Sequence, residues 1–247
     1  MPSWNIHTAH AERLIAEHLC SDLGIADANA FLFGNYVPDI YVGFMVPDVT
    51  YRIDYCLTHL TTVVDIPEPD ADLFWDNYIY KRTPSSPEGL SLTLGAWAHL
   101  VADREYNCRF REFCAARGIS ASEDLRMRKQ GDFDTFGRTL GISACVHVTP
   151  GLTEAARMFK GYSIVEDDVA RSVDVASAIV HANAQEPGAL HYRLLTSEWF
   201  ENVFDSCHAS IASWLEAWVR MRSDGASVSA ENIRQEFKHN PASFRRE

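Results

Sequence analysis

The chain has 247 residues, 47% apolar and 23% charged, the balance of a folded globular protein rather than a disordered or fibrous one. Its net charge of −12, from 22 basic against 34 acidic side chains, excludes a protein that grips duplex nucleic acid by neutralising phosphates, because such binding needs a basic face. No apolar run approaches the ~20 residues of a transmembrane segment, the N-terminus lacks a basic stretch followed by an apolar one, and six cysteines without a CxxC pair read as reduced thiols, so a cytoplasmic location is expected.

Ile6 to Leu23 reads as a first helix: Leu14, Ile15, Leu19 and Leu23 form an apolar stripe, His7 and His10 lie in its first turn, and Gly24 ends it. Ala26 to Asp54 holds two glycines, two Pro-Asp pairs and many aromatics, which predicts a folded loop with short helical pieces packed on the core. Ile53 to Val64 reads as a short helix carrying His59, Asp65 to Asp70 as a turn, and Ala71 to Lys81 as a helix with Leu73, Phe74, Tyr78 and Ile79 on one side. Ser86 has the character of an N-cap, with Pro87 at the first helical position and Glu88 in the first turn of a long helix ending near Gly118. That helix is apolar nearly all round as far as Ala102, the pattern of a helix buried in the middle of a domain.

Ser120-Ala-Ser-Glu123 has capping-box form and opens another helical stretch, which Gly131, Gly137 and Gly141 are expected to break near residues 130–138. His147 to Gly151 reads as a turn, Thr153 to Phe159 and Asp167 to Ala184 as helices, Glu186 to Gly188 as a break, Thr196 to Met221 as a long amphipathic helix and Ser229 to Lys238 as a final short one. No stretch alternates with period two, so the expected class is all-α: a single-domain multi-helix bundle around a buried central helix, spanning residues 1–240, with a polar tail at 241–247.

The central helix carries His99 and Asp103 four residues apart on one face. A carboxylate in that setting is costly unless paired or bound to a cation, so the pair is either a structural hydrogen bond or half of a metal site. Upstream, the candidate ligands are His7 or His10, Asp39 (with Asp48 and Asp54 as rivals) and His59. Imidazole nitrogen with carboxylate oxygen and no thiolate is the ligand set of a catalytic zinc rather than a structural one, and Asp103 is placed to bridge two metals.

These residues resemble the zinc-dependent phospholipase C family, whose fold is shared with single-strand-specific zinc nucleases. The likeness lies in LGAWAHLVAD (Leu94 to Asp103), in His7 followed by Glu12-Arg13-Leu14-Ile15, in GNYVPD (Gly34 to Asp39) and in the position of His59, and it covers about residues 1 to 110. It implies that Asp39, His59, His99 and Asp103 hold one zinc, that Asp103 bridges to a second held by His7, and that Asp39 and Asp103 carry the catalytic role. The likeness fails in places: Arg109 stands six residues after Asp103 where the family has a histidine, no later histidine (His147, His181, His191 or His208 among them) is followed by Glu four residues on, and Trp4 is internal. One or two zinc ions are therefore expected rather than three.

The resemblance implies hydrolysis of a phosphate ester, with a metal-activated water attacking phosphorus; Arg104 and Arg109 are either solvated helix charges or groups that meet the phosphate. The expected substrate is a small phosphate ester or phospholipid; a nuclease or nucleotidase on the same scaffold is the alternative, and a non-catalytic metal-binding helical protein the rival from another class.

Overall fold

The computed structural model describes residues 2–185 and 191–239. Its longest element is defined by its ends. Ser86 is extended, and its Oγ accepts the Gly89 N–H at 3.0 Å; Pro87 fills the first helical position, and Gly118 stops the helix in the left-handed region at φ +62°. Between them α6 (Pro87–Arg117) runs for 31 residues. Leu92, Leu94, Trp97 and Leu100 point to different sides of it and are all buried, as the all-round apolar pattern requires.

The helices α1 (Trp4–Glu17), α2 (Ala28–Gly34), α3 (Val37–Ile40), α5 (Ala71–Trp75), α8 (Pro150–Arg157) and α10 (Ser197–Ser223) all pack on α6. The single turn α4 (Tyr55–Thr58) contacts α3; α9 (Glu166–Asn183) and α7 (Glu123–Thr139) lie on α1; and α11 (Ala230–His239) covers α5 and α10. Among the described residues there is no strand, and no helix is long and apolar enough to cross a membrane. The all-α class and the buried central helix are as expected; the break at Glu186 to Gly188 and the polar tail at 241–247 lie outside the described residues.

Several local readings are corrected. The first helix ends at Glu17, because His18 turns extended and its ring reaches Glu216 on α10 at 3.2 Å; Leu19, assigned to the apolar stripe, is 71% exposed. Around His59 only one helical turn forms, with Asp54 as its N-cap and His59 as its C-cap, directly after Thr58. The helix from Ala71 continues past Trp75 as a five-residue π-helical turn, Asp76–Tyr80, which leaves Leu73 outside the core. Helix α7 is capped by Ser122 rather than Ser120 and runs unbroken through residues 130–138. Gly137 does not break it: that glycine lets Asn5 of α1 lie against the α7 backbone, where a Cβ would overlap the Asn5 side chain.

Two apolar clusters make up the core. One gathers Trp75, Trp97, Trp214 and Trp218, with Trp75 edge-on to the other three at 5.0, 5.5 and 5.7 Å between ring centres. The second joins Tyr106, Phe110, Phe133, Phe136 and Phe200. Along α6 the first cluster ends at Ala102 and the second begins at Tyr106; along α1, Trp4 belongs to the first and Ile6 to the second. Asp103 and His7 therefore stand at the seam between two dry regions.

Candidate metal centre

Three surrounding segments deliver side chains to this seam on α6, and a fourth delivers a backbone carbonyl. His99 and Asp103 come from α6 itself, one turn apart. Helix α2 lies against α6 at Gly34 and Gly95 and ends at Asn35, whose carbonyl oxygen accepts the His99 Nδ1–H at 2.8 Å. A carbonyl can only accept, so neutral His99 carries its proton on Nδ1 and presents a bare Nε2 lone pair. Asp39 sits in α3 behind Pro38, and the Trp4 indole N–H donates to its Oδ2 at 3.1 Å. Trp4 is held in turn by stacking on Tyr36 at 4.5 Å. His59 closes the α4 turn and stacks on Tyr55 at 3.9 Å. His7, from the first turn of α1, lies flat on His99, with ring centres 3.9 Å apart and planes 11° from parallel.

The donor atoms converge. His7 Nε2 is 3.5 Å from Asp103 Oδ1; His59 Nε2 is 3.5 Å from Asp103 Oδ2 and 3.6 Å from Asp39 Oδ1; His99 Nε2 is 3.8 Å from Asp103 Oδ2 and 4.0 Å from Asp39 Oδ2. His7, His59, His99 and Asp103 are fully buried and Asp39 is 4% exposed. Two sets of three donors each fall within 4.8 Å of one another: His7, His99 and Asp103, and Asp39, His59 and His99.

Hydrogen bonding within the protein does not use up this set. Neither His7 ring nitrogen has a hydrogen-bond partner, nor does Asp103 Oδ1. The Nε2 atoms of His59 and His99 face each other at 3.2 Å. With the Thr58 hydroxyl donating to the Tyr55 carbonyl at 3.2 Å, that hydroxyl accepts the His59 Nδ1–H at 2.8 Å, and both Nε2 atoms then bring lone pairs to the same point. Lone pairs meeting in a dry interior are reconciled by a cation between them. The proton balance agrees. Burial, then the neighbouring His99, lowers His7 to about 4, and burial lowers His59 to about 3, so both imidazoles are neutral at pH 7. Burial pushes Asp39 up, whereas Asp103 is held low against its own burial by His99 and His7. Three imidazole nitrogens and two carboxyl groups, with no thiolate, suit a borderline divalent cation.

A cleft of about 710 Å³ opens beside the centre, with Trp4, Asp39 and Tyr55 on the near wall and Asn107 and Lys129 further along. The Tyr55 hydroxyl donates to Asp103 Oδ2 at 3.4 Å from that wall.

The other candidates are elsewhere. His10 is buried against Phe204, ring centres 4.1 Å apart, with both nitrogens unpartnered, one turn beyond His7. Asp54 is spent as the α4 cap, and Asp48 occupies a left-handed turn at φ +52°. Arg104 pairs with Asp72 at 2.9 Å and Arg109 with Glu105 at 2.9 Å, so neither is free to meet a phosphate. His147, His181 and His191 are exposed, and His208 belongs to a separate group with Glu17 and His18. Sequence reading missed Trp4, Asn35, Tyr55 and Thr58 as supports of the ligands. Only Tyr55 left a signal, lying four residues before His59. No family model, curated protein or solved structure matches the chain.

Proposed function

We propose that the protein is a zinc-dependent hydrolase of phosphate esters. One observation carries this reading: three buried imidazoles and two buried carboxylates from four segments meet, with both His7 nitrogens and Asp103 Oδ1 lacking a hydrogen-bond partner and the Nε2 atoms of His59 and His99 facing each other at 3.2 Å. The sequence resemblance to zinc-dependent phospholipase C supports the same reading, through the segments that carry these same ligands, GNYVPD with Asp39 among them. When bound, a divalent cation supplies an activated water as nucleophile and neutralises charge developing on the phosphoryl oxygens.

The chain's own residues prepare that chemistry. Asp103 contributes one oxygen towards His7 and the other towards His59 and His99, the disposition of a bridging carboxylate. Trp4 fixes one oxygen of Asp39, the Asn35 carbonyl fixes the tautomer of His99, and Tyr55 steadies Asp103 from the cleft side. The cleft admits an ester to the Asp39 side, while the two aromatic clusters keep bulk water from the back of the centre.

The test is elemental mass spectrometry on untagged protein, followed by a turnover screen. One or two zinc ions per chain, with zinc-dependent hydrolysis of a chromogenic phosphate ester, is the expected result. Cleavage of single-stranded oligonucleotide but not of small esters would move the substrate to nucleic acid. Zinc uptake with no turnover of either would make the centre structural, and no uptake would sink the reading.

A further inference from the structure

Lys129 is the one buried ammonium in the described chain, and no carboxylate forms an ion pair with it there. It comes from α7, and its Nζ donates to Asn107 Oδ1 at 2.7 Å. The Phe110 and Phe133 ring centres lie 4.7 and 5.5 Å away. Two aromatic faces and one amide offset part of the desolvation cost of a buried cation, but among the described residues they leave donors unspent, in a protein with twelve surplus negative charges. Buried charges are ordinarily paired, and this one lines the cleft that runs to the metal centre.

Its place along that cleft follows from α6. His99, Asp103 and Asn107 succeed one another at four-residue intervals, so they share one face, and Asn107 stands about one helical turn, ~5–6 Å, beyond the Asp103 carboxylate. The Asn107 amide is oriented: its Nδ2 donates to the Pro67 carbonyl at 2.7 Å, which leaves Oδ1 to hold the ammonium. The cleft has two other basic residues, both exposed: Arg126, committed to Glu123 at 2.8 Å, and Arg138 further along α7; Lys129 is the one that is buried. Asp65 and Asp134 also line the cleft, and Asp134 accepts from Gln130 at 3.1 Å.

We propose that the cleft takes a phosphate ester bearing a second anionic group about one helical turn from the scissile phosphate, and that Lys129 receives this second anion. This rests on the hydrolase reading and narrows it: a doubly phosphorylated small molecule fits the cleft, and an ester with a neutral or cationic head group does not use its cation. At pH 7 the amine is still protonated, since burial lowers it only to about 8.

Isothermal titration with non-hydrolysable phosphonates tests the assignment without turnover. Wild-type protein, Lys129→Met and Lys129→Arg are first loaded with zinc and compared for stoichiometry and melting temperature. Methionine keeps the unbranched stem in its aromatic slot, so the variant folds. Trimethylene bisphosphonate is expected to bind wild type about tenfold more tightly than propylphosphonate, the return for one charged hydrogen bond. Lys129→Met should lose that preference with zinc content unchanged, and Lys129→Arg should keep part of it. Equal affinity of zinc-loaded wild type for the two phosphonates, or a preference that survives in Lys129→Met, overturns the assignment and leaves the hydrolase reading standing. Failure of wild type to take up zinc removes both.

Discussion

Gly34 of α2 and Gly95 of α6 meet backbone to backbone: a Cβ on Gly34 would overlap the Leu92 carbonyl, and one on Gly95 the Phe31 carbonyl. This contact is why the next carbonyl along α2, that of Asn35, reaches the His99 ring one turn after Gly95. Replacing a helical glycine with alanine ordinarily gains ~1 kcal/mol from propensity. Here the clash is with backbone that cannot rotate away, so Gly95→Ala should lose about 1–3 kcal/mol net of that gain. It should also weaken zinc binding, because separating the helices releases His99. Urea denaturation and a competitive zinc titration measure both; an alanine variant as stable as wild type refutes the close contact.

Trp4 supports Asp39 rather than serving only as core. Trp4→Phe keeps an aromatic ring on Tyr36 but removes the indole N–H that holds Asp39 Oδ2. Loss of such an outer partner lowers metal affinity by about 10–100-fold in comparable sites. Unchanged zinc affinity in a folded Trp4→Phe protein would mean that Asp39 needs no such support.

His10 makes stability depend on pH. Burial holds its pKa well below the ordinary 6.5, so the folded protein keeps it neutral while the unfolded chain takes a proton below that value. Its contribution to stability is thus complete above about pH 6.5 and is lost as pH falls, at about 1.4 kcal/mol per pH unit. His10→Leu removes this loss together with two unpartnered ring nitrogens. In chelator-treated protein, the stability of His10→Leu relative to wild type should rise steadily from pH 6.5 to pH 5; a constant difference by urea titration would show that His10 is protonated in the folded state.

Asp132 ties the chain between α9 and α10 to α7. Its two oxygens accept the N–H groups of Arg193, Leu194 and Leu195 at 2.6, 2.8 and 2.7 Å, and it is fully buried. Each hydrogen bond to a buried charge contributes about 1.5–3 kcal/mol, so Asp132→Ala should destabilise the protein by at least ~3 kcal/mol. Asp132→Asn, with one acceptor oxygen left, should fall between. A loss below ~1 kcal/mol for Asp132→Ala by chemical denaturation would show that water replaces the carboxylate.

The features read correctly from the chain are those written within a few residues. Ser86, Pro87 and Gly118 bound α6 through their own backbone chemistry, and His99 and Asp103 share a face because helical geometry leaves no choice. The readings that failed depend on partners far away in the chain. Gly137 looked like a helix breaker and is instead a landing place for Asn5; Arg104 and Arg109 looked free and are paired. The same distance hid the supports of the centre, since the Asn35 carbonyl is a backbone group that any residue carries, and the isolation of Lys129 shows only once the surrounding carboxylates are placed.

Residue order alone was enough for the helical class, the buried axis and the kinds of side chain on offer at residues 7, 39, 59, 99 and 103. It left open which of His7 and His10, or of Asp39, Asp48 and Asp54, faces the others. Packing chose His7 and Asp39, because the close approach of α2 to α6 and the seat of Trp4 on Tyr36 bring those two inward, while His10 turns to Phe204 and Asp54 caps a turn. Helix periodicity acts over about four residues, whereas the meeting of five ligands from four segments is set by how apolar faces close on one another.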